Sequence, residues 1–332
     1  MRRPTNDPQQ QHELSRRDAI RVGLGAGLAV ALDRLPAPTL PLARERQAAS
    51  PTLVTRAIPS SGERIPVVGL GTARGWDLPN DAERAARREV LRRFADVGGK
   101  VVDTAPAYGD AEQSVGELVA DLAIRPKLFL ATKVSARGGD AAASAAAQME
   151  SSMRRLRTSR VDLMQIWNLS SPDVLLPLLF EWKRRGRIRY VGITTSFQPQ
   201  HEEMTRLMRA HPLDFVQVDY AIDNRAAADR ILPLAADRGQ AVLVNLPFGR
   251  TRVFDRVRGR ALPDWAKEIG ATSWAQLFLE YVVGHPAVTC AIPGTTSPDH
   301  VVDNLGAARG SLPDAAMRKR IETYFDALPA SS

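Results

Sequence analysis

Eight short apolar runs recur along the chain, and each is followed by a longer stretch in which apolar positions repeat at helical spacing. The runs are 67–71, 101–103, 128–132, 161–166, 190–194, 215–218, 241–245 and 288–292. Apolar runs that alternate with helices are typical of a parallel sheet covered on both faces. About 280 residues follow the first fifty, which is the usual length of a closed (β/α)8 barrel. The pattern therefore predicts an α/β fold, a (β/α)8 TIM barrel.

The alternative architecture is an open, doubly wound sheet. A sheet of that kind usually binds dinucleotides with a Gly-x-Gly-x-x-Gly motif between its first strand and helix, and no such motif follows residues 67–71. Ahead of the first run, Leu53 to Pro66 contains the turn sequence Ser60-Ser-Gly-Glu63, which predicts a β-hairpin. We therefore assign residues 51–330 to one barrel domain.

The first fifty residues have a different character. Ser15-Arg16-Arg17 is followed by the mildly apolar stretch Val22–Leu32, which is shorter than the ~20 residues that cross a membrane. This order predicts a twin-arginine signal peptide and a Pro-rich linker in residues 1–50, with cleavage between about residues 38 and 50. We expect the twin-arginine export machinery to deliver the protein to the periplasm or another extracytoplasmic site, without a stable membrane anchor. A short amphipathic or disordered tail is the alternative.

The chain carries a formal net charge of +8 and its pI is about 10, which raises the question of a nucleic-acid partner. Its arginines are spread over helix faces without aromatic side chains among them, whereas nucleic-acid sites combine basic clusters with stacking rings. We therefore expect no nucleic-acid partner. The single cysteine, Cys290, excludes an internal disulfide and a multi-cysteine metal site, and the five histidines lack metal-ligand spacing. No metal is expected.

Polar side chains stand at the ends of two predicted strands. Asp103 ends the second run, Tyr108 follows it by five residues, and Lys133 follows the third run. Neighbouring parallel strands place their carboxyl ends on one rim, so an acid, a phenol and an amine would meet there. An ammonium favours the ionised form of a nearby phenol, which suits a group that protonates a carbonyl oxygen as hydride reaches the carbon. Each residue alone is more typical of a turn, a helix cap or a surface.

Four segments of the chain resemble the aldo-keto reductase superfamily. The first segment carries the motif of Asp103, Tyr108-Gly109, Glu112 and Gly116. The other three are 67–72, 186–192 and 291–300, and all four stand in the order and at the spacing of the superfamily. The resemblance covers most of the chain after about Leu53. It implies that the hairpin plugs the barrel bottom and that the protein is an NADP-dependent oxidoreductase with Asp103, Tyr108 and Lys133 at its catalytic site.

The resemblance also implies a set of cofactor-binding residues. They are Gly71, Thr72, Asp103, Thr194, Thr195, Gln217, Asn245, Gly294, Thr295, His300, Asp303 and Asn304. Thr194, Thr195 and Gln217 stand where the superfamily holds the nicotinamide carboxamide, and the segment from Gly294 stands where it holds the adenosine phosphate. The implied cofactor is NADP(H). NAD(H) is the alternative, because His300 occupies a position where the superfamily often has an arginine.

Two positions depart from the superfamily. Trp167 follows the fourth strand where the superfamily has a histidine, and an indole N–H donates a hydrogen bond but neither accepts nor titrates. Either Trp167 still polarises a carbonyl as a catalytic residue, or its bulk reshapes the pocket and weakens reduction. Asn245 stands where the superfamily has an aromatic ring that stacks on the nicotinamide.

Three functions agree with these observations. The first is the reduction of a small-molecule carbonyl compound, or the reverse oxidation of an alcohol, with hydride from nicotinamide and a proton from Tyr108. The second is a non-catalytic or weakly active barrel that binds a dinucleotide. The third is a lyase or isomerase that holds NAD(P) tightly.

Overall fold

The computed structural model describes residues 52–77, 80–136 and 140–329; the predicted signal in residues 1–50 lies outside this range. The described strands are β1 Thr55–Ala57, β2 Arg64–Pro66, β3 Leu70–Gly71, β4 Val101–Asp103, β5 Phe129–Val134, β6 Val161–Trp167, β7 Ile188–Thr194, β8 Phe215–Asp219, β9 Ala241–Asn245 and β10 Cys290–Ala291. The described helices are α1 Asp81–Asp96, α2 Ala111–Asp121, α3 Ala141–Arg155, α4 Pro172–Arg184, α5 His201–Ala210, α6 Ala227–Asp237, α7 Arg252–Arg256, α8 Trp274–Val283, α9 Pro298–Gly306 and α10 Ala315–Asp326. None of these helices is both long and apolar enough to cross a membrane.

Strands β3 to β10 form one parallel sheet in chain order. The two ends of the sheet meet, because bridges join Val68 to Ala291 and Gly71 to Gly294. The Gly69 N–H also donates to the Ala291 carbonyl oxygen at 2.8 Å. A Cβ on Gly69 would lie 2.8 Å from a carbonyl oxygen of β4, so this close approach requires glycine. The predicted (β/α)8 barrel is confirmed.

The predicted hairpin is formed by β1 and β2, which pair antiparallel. Ile58 and Ile65 of this hairpin are fully buried in one cluster with side chains of the barrel interior. Tyr190, near the start of β7, donates from its hydroxyl to Glu63 Oε2 and also hydrogen-bonds Ser61 Oγ, each at 2.7 Å. The hairpin therefore closes the amino-terminal end of the barrel.

Glu112 and Gly116 of the sequence motif hold α2 against its neighbours. Glu112 Oε1 accepts from Thr132 Oγ1 at 2.5 Å, and Glu112 Oε2 accepts from Arg155 Nε at 2.8 Å. A Cβ on Gly116 would overlap the Arg155 carbonyl oxygen, so only glycine allows α2 to approach α3 this closely. Because Thr132 precedes Lys133 in β5, this packing fixes the strand from which the lysine projects.

Glu280 is a buried carboxyl in α8, and its Oε2 has no hydrogen-bond partner among the described residues. Burial disfavours the charged form and raises the pKa of Glu280 from its ordinary value of 4.5 to about 8. Between these two values the folded protein holds a proton on Glu280 that the unfolded chain has lost. The free energy of unfolding therefore falls as the pH rises from 4.5 to about 8.

Glu280→Gln removes this titration. Near pH 5, where the wild-type carboxyl is protonated in the folded state, we expect the free energy of unfolding of the variant to lie within about 1 kcal/mol of the wild-type value. At about pH 9 the variant should be the more stable protein by a few kcal/mol, since each unit of pKa shift is worth more than about 1 kcal/mol. Urea unfolding of both proteins at both pH values measures the difference. The same stability difference at the two pH values would show that Glu280 titrates normally.

Candidate active site

The carboxyl-terminal ends of β4 and β5 bring Asp103 and Lys133 together. Asp103 pairs in register with Ala131, so Lys133, two residues further along β5, projects on the same face of the sheet. Lys133 Nζ lies 2.5 Å from Asp103 Oδ1 and donates to the Thr104 carbonyl oxygen at 2.9 Å. Asp103 is 3% exposed and Lys133 2%. The two residues form an ion pair that is almost excluded from water.

Tyr108 lies against this ion pair, and Lys133 Nζ is 4.9 Å from the centroid of its ring. Burial alone would lower the pKa of Lys133, but the Asp103 carboxylate and the Tyr108 hydroxyl outweigh burial and raise the pKa of Lys133 above its ordinary value. The amine is therefore an ammonium at neutral pH. Tyr108 itself is only partly buried, so a small molecule can approach the phenol.

A tight turn fixes the position of Tyr108. The Tyr108 N–H donates to the Ala105 carbonyl oxygen at 3.1 Å, and the next residue, Gly109, has a φ of +57°. Asp77 Oδ1 accepts the Asp110 N–H at 2.8 Å, and a Cβ on Gly109 would collide with this carboxylate. The glycine that follows the tyrosine is therefore required by both the backbone angle and the close contact.

Two glutamines hold the Asp103 carboxylate from across the barrel. Gln165 Nε2 donates to Asp103 Oδ2 at 3.1 Å, and Gln217 Nε2 donates to the same oxygen at 2.9 Å. Both glutamines are buried, and Gln165 lies opposite Lys133 in the pairing of β5 with β6. Lys133, Gln165 and Gln217 together fix the orientation of the carboxylate.

Gln165 is a residue of the site that the sequence motifs do not predict. The available signal was a polar side chain within an apolar run, two residues before Trp167 and therefore on the same face of β6. Trp167 ends that face at the rim, and its ring packs edge-on against Tyr108 with centroids 5.9 Å apart and an interplanar angle of 75°. The indole therefore forms a wall beside the phenol.

The rim of β7, β8 and β9 brings four predicted cofactor residues together. Thr194 Oγ1 donates to Gln217 Oε1 at 2.8 Å, and Thr195 Oγ1 donates to Gln200 Oε1 at 2.5 Å. Asn245 Nδ2 makes only long contacts of 3.5 Å, with the Thr195 carbonyl oxygen and with Gln217 Oε1. Asn245 Oδ1 is buried and has no hydrogen-bond partner among the described residues.

Gly71 and Thr72 lie at the seam of the barrel, the line along which β3 meets β10. Gly71 forms a bridge with Gly294, and a Cβ on Gly71 would lie 2.8 Å from a carbonyl oxygen that follows β10. Thr72 is buried, and its Oγ1 donates to the Asp103 carbonyl oxygen at 3.0 Å. Both residues therefore brace the seam next to Asp103.

The loop after β10 leads from Gly294 and Thr295 into α9. Ser297 Oγ accepts the His300 N–H at 3.3 Å and caps the helix, and Thr295 Oγ1 accepts the Ser297 N–H at 3.1 Å. Gly294 and His300 are exposed. Backbone N–H groups at the start of a helix attract anions, so this loop fits a phosphate.

Asp303 and Asn304 lie further along α9. Asp303 accepts from Ser273 Oγ and from Gln276 Nε2, both at 2.7 Å, so its carboxylate ties α9 to α8. Asn304 is buried. The structure places Asp303 in a helix contact, and its role toward a cofactor stays a prediction.

The rim as a whole fits a nicotinamide dinucleotide. At one end Asn245 offers a buried acceptor that no described residue engages, and at the other the start of α9 suits a phosphate. Within residues 52–77, 80–136 and 140–329, no cluster of His, Cys, Asp and Glu has the arrangement of a metal site.

A closed barrel that carries an acid, an ammonium and a phenol on its carboxyl-terminal rim defines a (β/α)8 protein equipped to transfer a proton to an oxygen. The chain belongs to the aldo/keto reductase family, whose family model matches residues 67–323. The superfamily suggested by the sequence motifs is confirmed.

Similar proteins come from several bacteria. Methylglyoxal reductase YeaE of Escherichia coli K12 is 28% identical over 268 residues, which cover 78% of this chain and 91% of that protein. Aldo-keto reductase YhdN of Bacillus subtilis 168 is 29% identical over 198 residues, which cover 54% of this chain and 58% of that protein. The crystal structure of an aldo-keto reductase of Klebsiella pneumoniae in complex with NADPH matches with a TM-score of 0.66 and 26% identity, and the match covers 83% of this chain and 95% of that one.

Proposed function

We propose that this protein is an oxidoreductase that reduces an aldehyde or ketone with NADPH. The observation that carries the proposal is the buried Lys133–Asp103 ion pair in contact with the ring of Tyr108. Membership of the aldo/keto reductase family and the likeness to an NADPH-bound aldo-keto reductase support it. When bound, the nicotinamide supplies the hydride.

Tyr108 is the proton donor in this proposal. Reduction of a carbonyl leaves negative charge on its oxygen, and the phenol neutralises that charge by giving up its proton. The Lys133 ammonium stabilises the remaining phenolate, because an opposite charge in a site of low dielectric favours the ionised form. Asp103 keeps the ammonium charged and aimed. Gln165 and Gln217 hold Asp103 in turn.

The rim residues would hold the cofactor along its length. The nicotinamide end is assigned to Thr194, Thr195, Gln217 and Asn245, the middle to Gly71, Thr72 and Asp103, and the phosphate end to Gly294, Thr295, His300, Asp303 and Asn304. NADP(H) is the assigned cofactor. NAD(H) is the alternative to be tested, because a histidine binds a phosphate with fewer donors than an arginine does.

Trp167 determines the polarity and the hydrogen-bond donors of the carbonyl site beside Tyr108. The indole offers one N–H donor and a large apolar surface beside Tyr108. The substrate is a small-molecule carbonyl compound, and the corresponding alcohol is the substrate of the reverse reaction. Methylglyoxal is the first compound to test, since the E. coli relative is named as its reductase.

The ratio of NADPH consumed to alcohol formed distinguishes this function from the two alternative functions. Purified protein that is given NADPH and methylglyoxal should consume one NADPH for each alcohol formed, which the absorbance of NADPH and chromatography of the product measure. A dinucleotide that co-purifies with the protein but supports no turnover of carbonyls or alcohols would favour the non-catalytic barrel. Product formation without net consumption of NADPH would favour a lyase or isomerase.

We further propose that the protein is exported by the twin-arginine machinery. The support is the sequence alone, in which Arg16 and Arg17 precede the apolar stretch Val22–Leu32. In a host that has this machinery, the wild type should appear outside the cytoplasmic membrane in shortened form. The double variant Arg16→Lys, Arg17→Lys should stay in the cytoplasm at full length. Cell fractionation and immunoblotting measure both, and the same location for the two proteins would contradict the proposal.

A further inference from the structure

Asn245 differs from Thr194, Thr195 and Gln217, the three other predicted cofactor residues of the β7–β9 rim. Gln217 is engaged at both ends of its amide, since Oε1 accepts from Thr194 and Nε2 donates to Asp103. The Thr195 hydroxyl is engaged by Gln200. Asn245 has an acceptor, Oδ1, that is buried without a partner among the described residues, and a donor, Nδ2, whose contacts are 3.5 Å long. Buried polar groups normally find a partner, so Asn245 is suited to a ligand.

The pairing of the strands places Asn245 beside the catalytic groups. Asn245 pairs in register with Asp219, the last residue of β8, and side chains two residues apart on a strand share a face. Asn245 therefore projects on the same face as Leu243, which belongs to the core of the barrel interior. Its amide contacts Gln217, and Gln217 contacts Asp103. A ligand group at Asn245 thus lies next to the hydrogen bonds that hold the ion pair.

We propose that Asn245 binds the carboxamide of the nicotinamide, with Oδ1 accepting its N–H and Nδ2 donating to its oxygen. A primary amide complements another primary amide because each carries one acceptor and a pair of donors. This inference rests on the proposed function and reassigns a subsite within it. The sequence resemblance placed the carboxamide on Thr194, Thr195 and Gln217, and all three side chains already have protein partners.

The test compares three ligands by calorimetric titration. NADP⁺ carries the carboxamide, its 3-acetylpyridine analogue carries a methyl group in place of the NH₂, and 2′,5′-ADP lacks the nicotinamide altogether. The wild type should bind NADP⁺ about tenfold more tightly than the acetylpyridine analogue, because only the carboxamide donates to Oδ1. Asn245→Leu, which keeps the size of the side chain, should bind the two dinucleotides with equal affinity. It should bind 2′,5′-ADP within about twofold of the wild type.

Asn245→Asp is the matched control. It keeps an acceptor at the position of Oδ1, so it should keep the preference for NADP⁺ over the analogue that Asn245→Leu loses. An unchanged preference in Asn245→Leu would overturn the inference, as would a loss of 2′,5′-ADP binding equal to the loss of NADP⁺ binding. If the wild type binds none of the three ligands, the proposed function fails with the inference. If NADPH-dependent turnover is present while Asn245→Leu keeps its preference, only the inference fails.

Discussion

Tyr108→Phe should lower the rate of carbonyl reduction by about 10²- to 10⁴-fold, the usual contribution of a positioned proton donor. The substitution removes the hydroxyl and keeps the ring, which packs against Trp167 and Lys133. The cofactor and the carbonyl compound can still bind, but the charge that develops on the oxygen has no donor beside it. The affinity for NADPH should therefore stay within about twofold of the wild-type value.

NADPH consumption with methylglyoxal measures the rate, and fluorescence titration measures the NADPH affinity. Tyr324→Phe is the matched control. It removes the same hydroxyl from a tyrosine of α10, whose ring packs against Trp265 and Trp274, and it should keep the full rate. An undiminished rate in Tyr108→Phe would assign the proton donor to another group. A loss in both variants would indicate damage to the fold.

Lys133→Met should be the most destabilising substitution at the site. Lys133 Nζ and Asp103 Oδ1 are 2.5 Å apart, and both side chains are nearly excluded from water. Without the ammonium, the buried carboxylate keeps only the amide donors of Gln165 and Gln217. Removal of one member of a buried ion pair costs about 3–5 kcal/mol in the free energy of unfolding. Turnover should fall as well, because Tyr108 loses the charge that stabilises its ionised form.

The double variant Lys133→Met, Asp103→Asn separates stability from catalysis. It removes both charges, so the free energy of unfolding should return to within about 1–2 kcal/mol of the wild type. Turnover should remain as low as in Lys133→Met. Denaturant titration followed by circular dichroism measures the first quantity and the NADPH assay the second. Wild-type stability in the single variant would contradict the role of the pair in the fold, and restored turnover in the double variant would contradict its role in catalysis.

The barrel could be predicted because its strands are buried on both faces, and such strands appear in the sequence as apolar runs. Strands β4 and β9 have the bounds that the runs predict. Strands β3 and β10 are shorter than the predicted runs and contain two residues each. At the seam the remaining residues meet through isolated bridges, such as Val68 with Ala291. Apolar spacing shows that a strand is buried, but it does not show how the first and last strands meet.

The ion pair and the phenol lie together on the rim as the strand ends suggested, since β4 and β5 are neighbours both in sequence and in the sheet. The glutamines could not be found in this way. Gln165 and Gln217 reach Asp103 from β6 and β8, which do not pair with β4. Contacts across a barrel depend on its radius and on the stagger of its strands, and neither quantity can be read from residue spacing.

The seam has a consequence for how the molecule is made. Strand β10 begins at Cys290, so the ring cannot close until the ribosome has produced the chain through that strand. Until then Gly71 has no partner in Gly294, and β3 remains an unpaired edge on that side. A nascent chain without β10 therefore has an open sheet in place of a closed barrel.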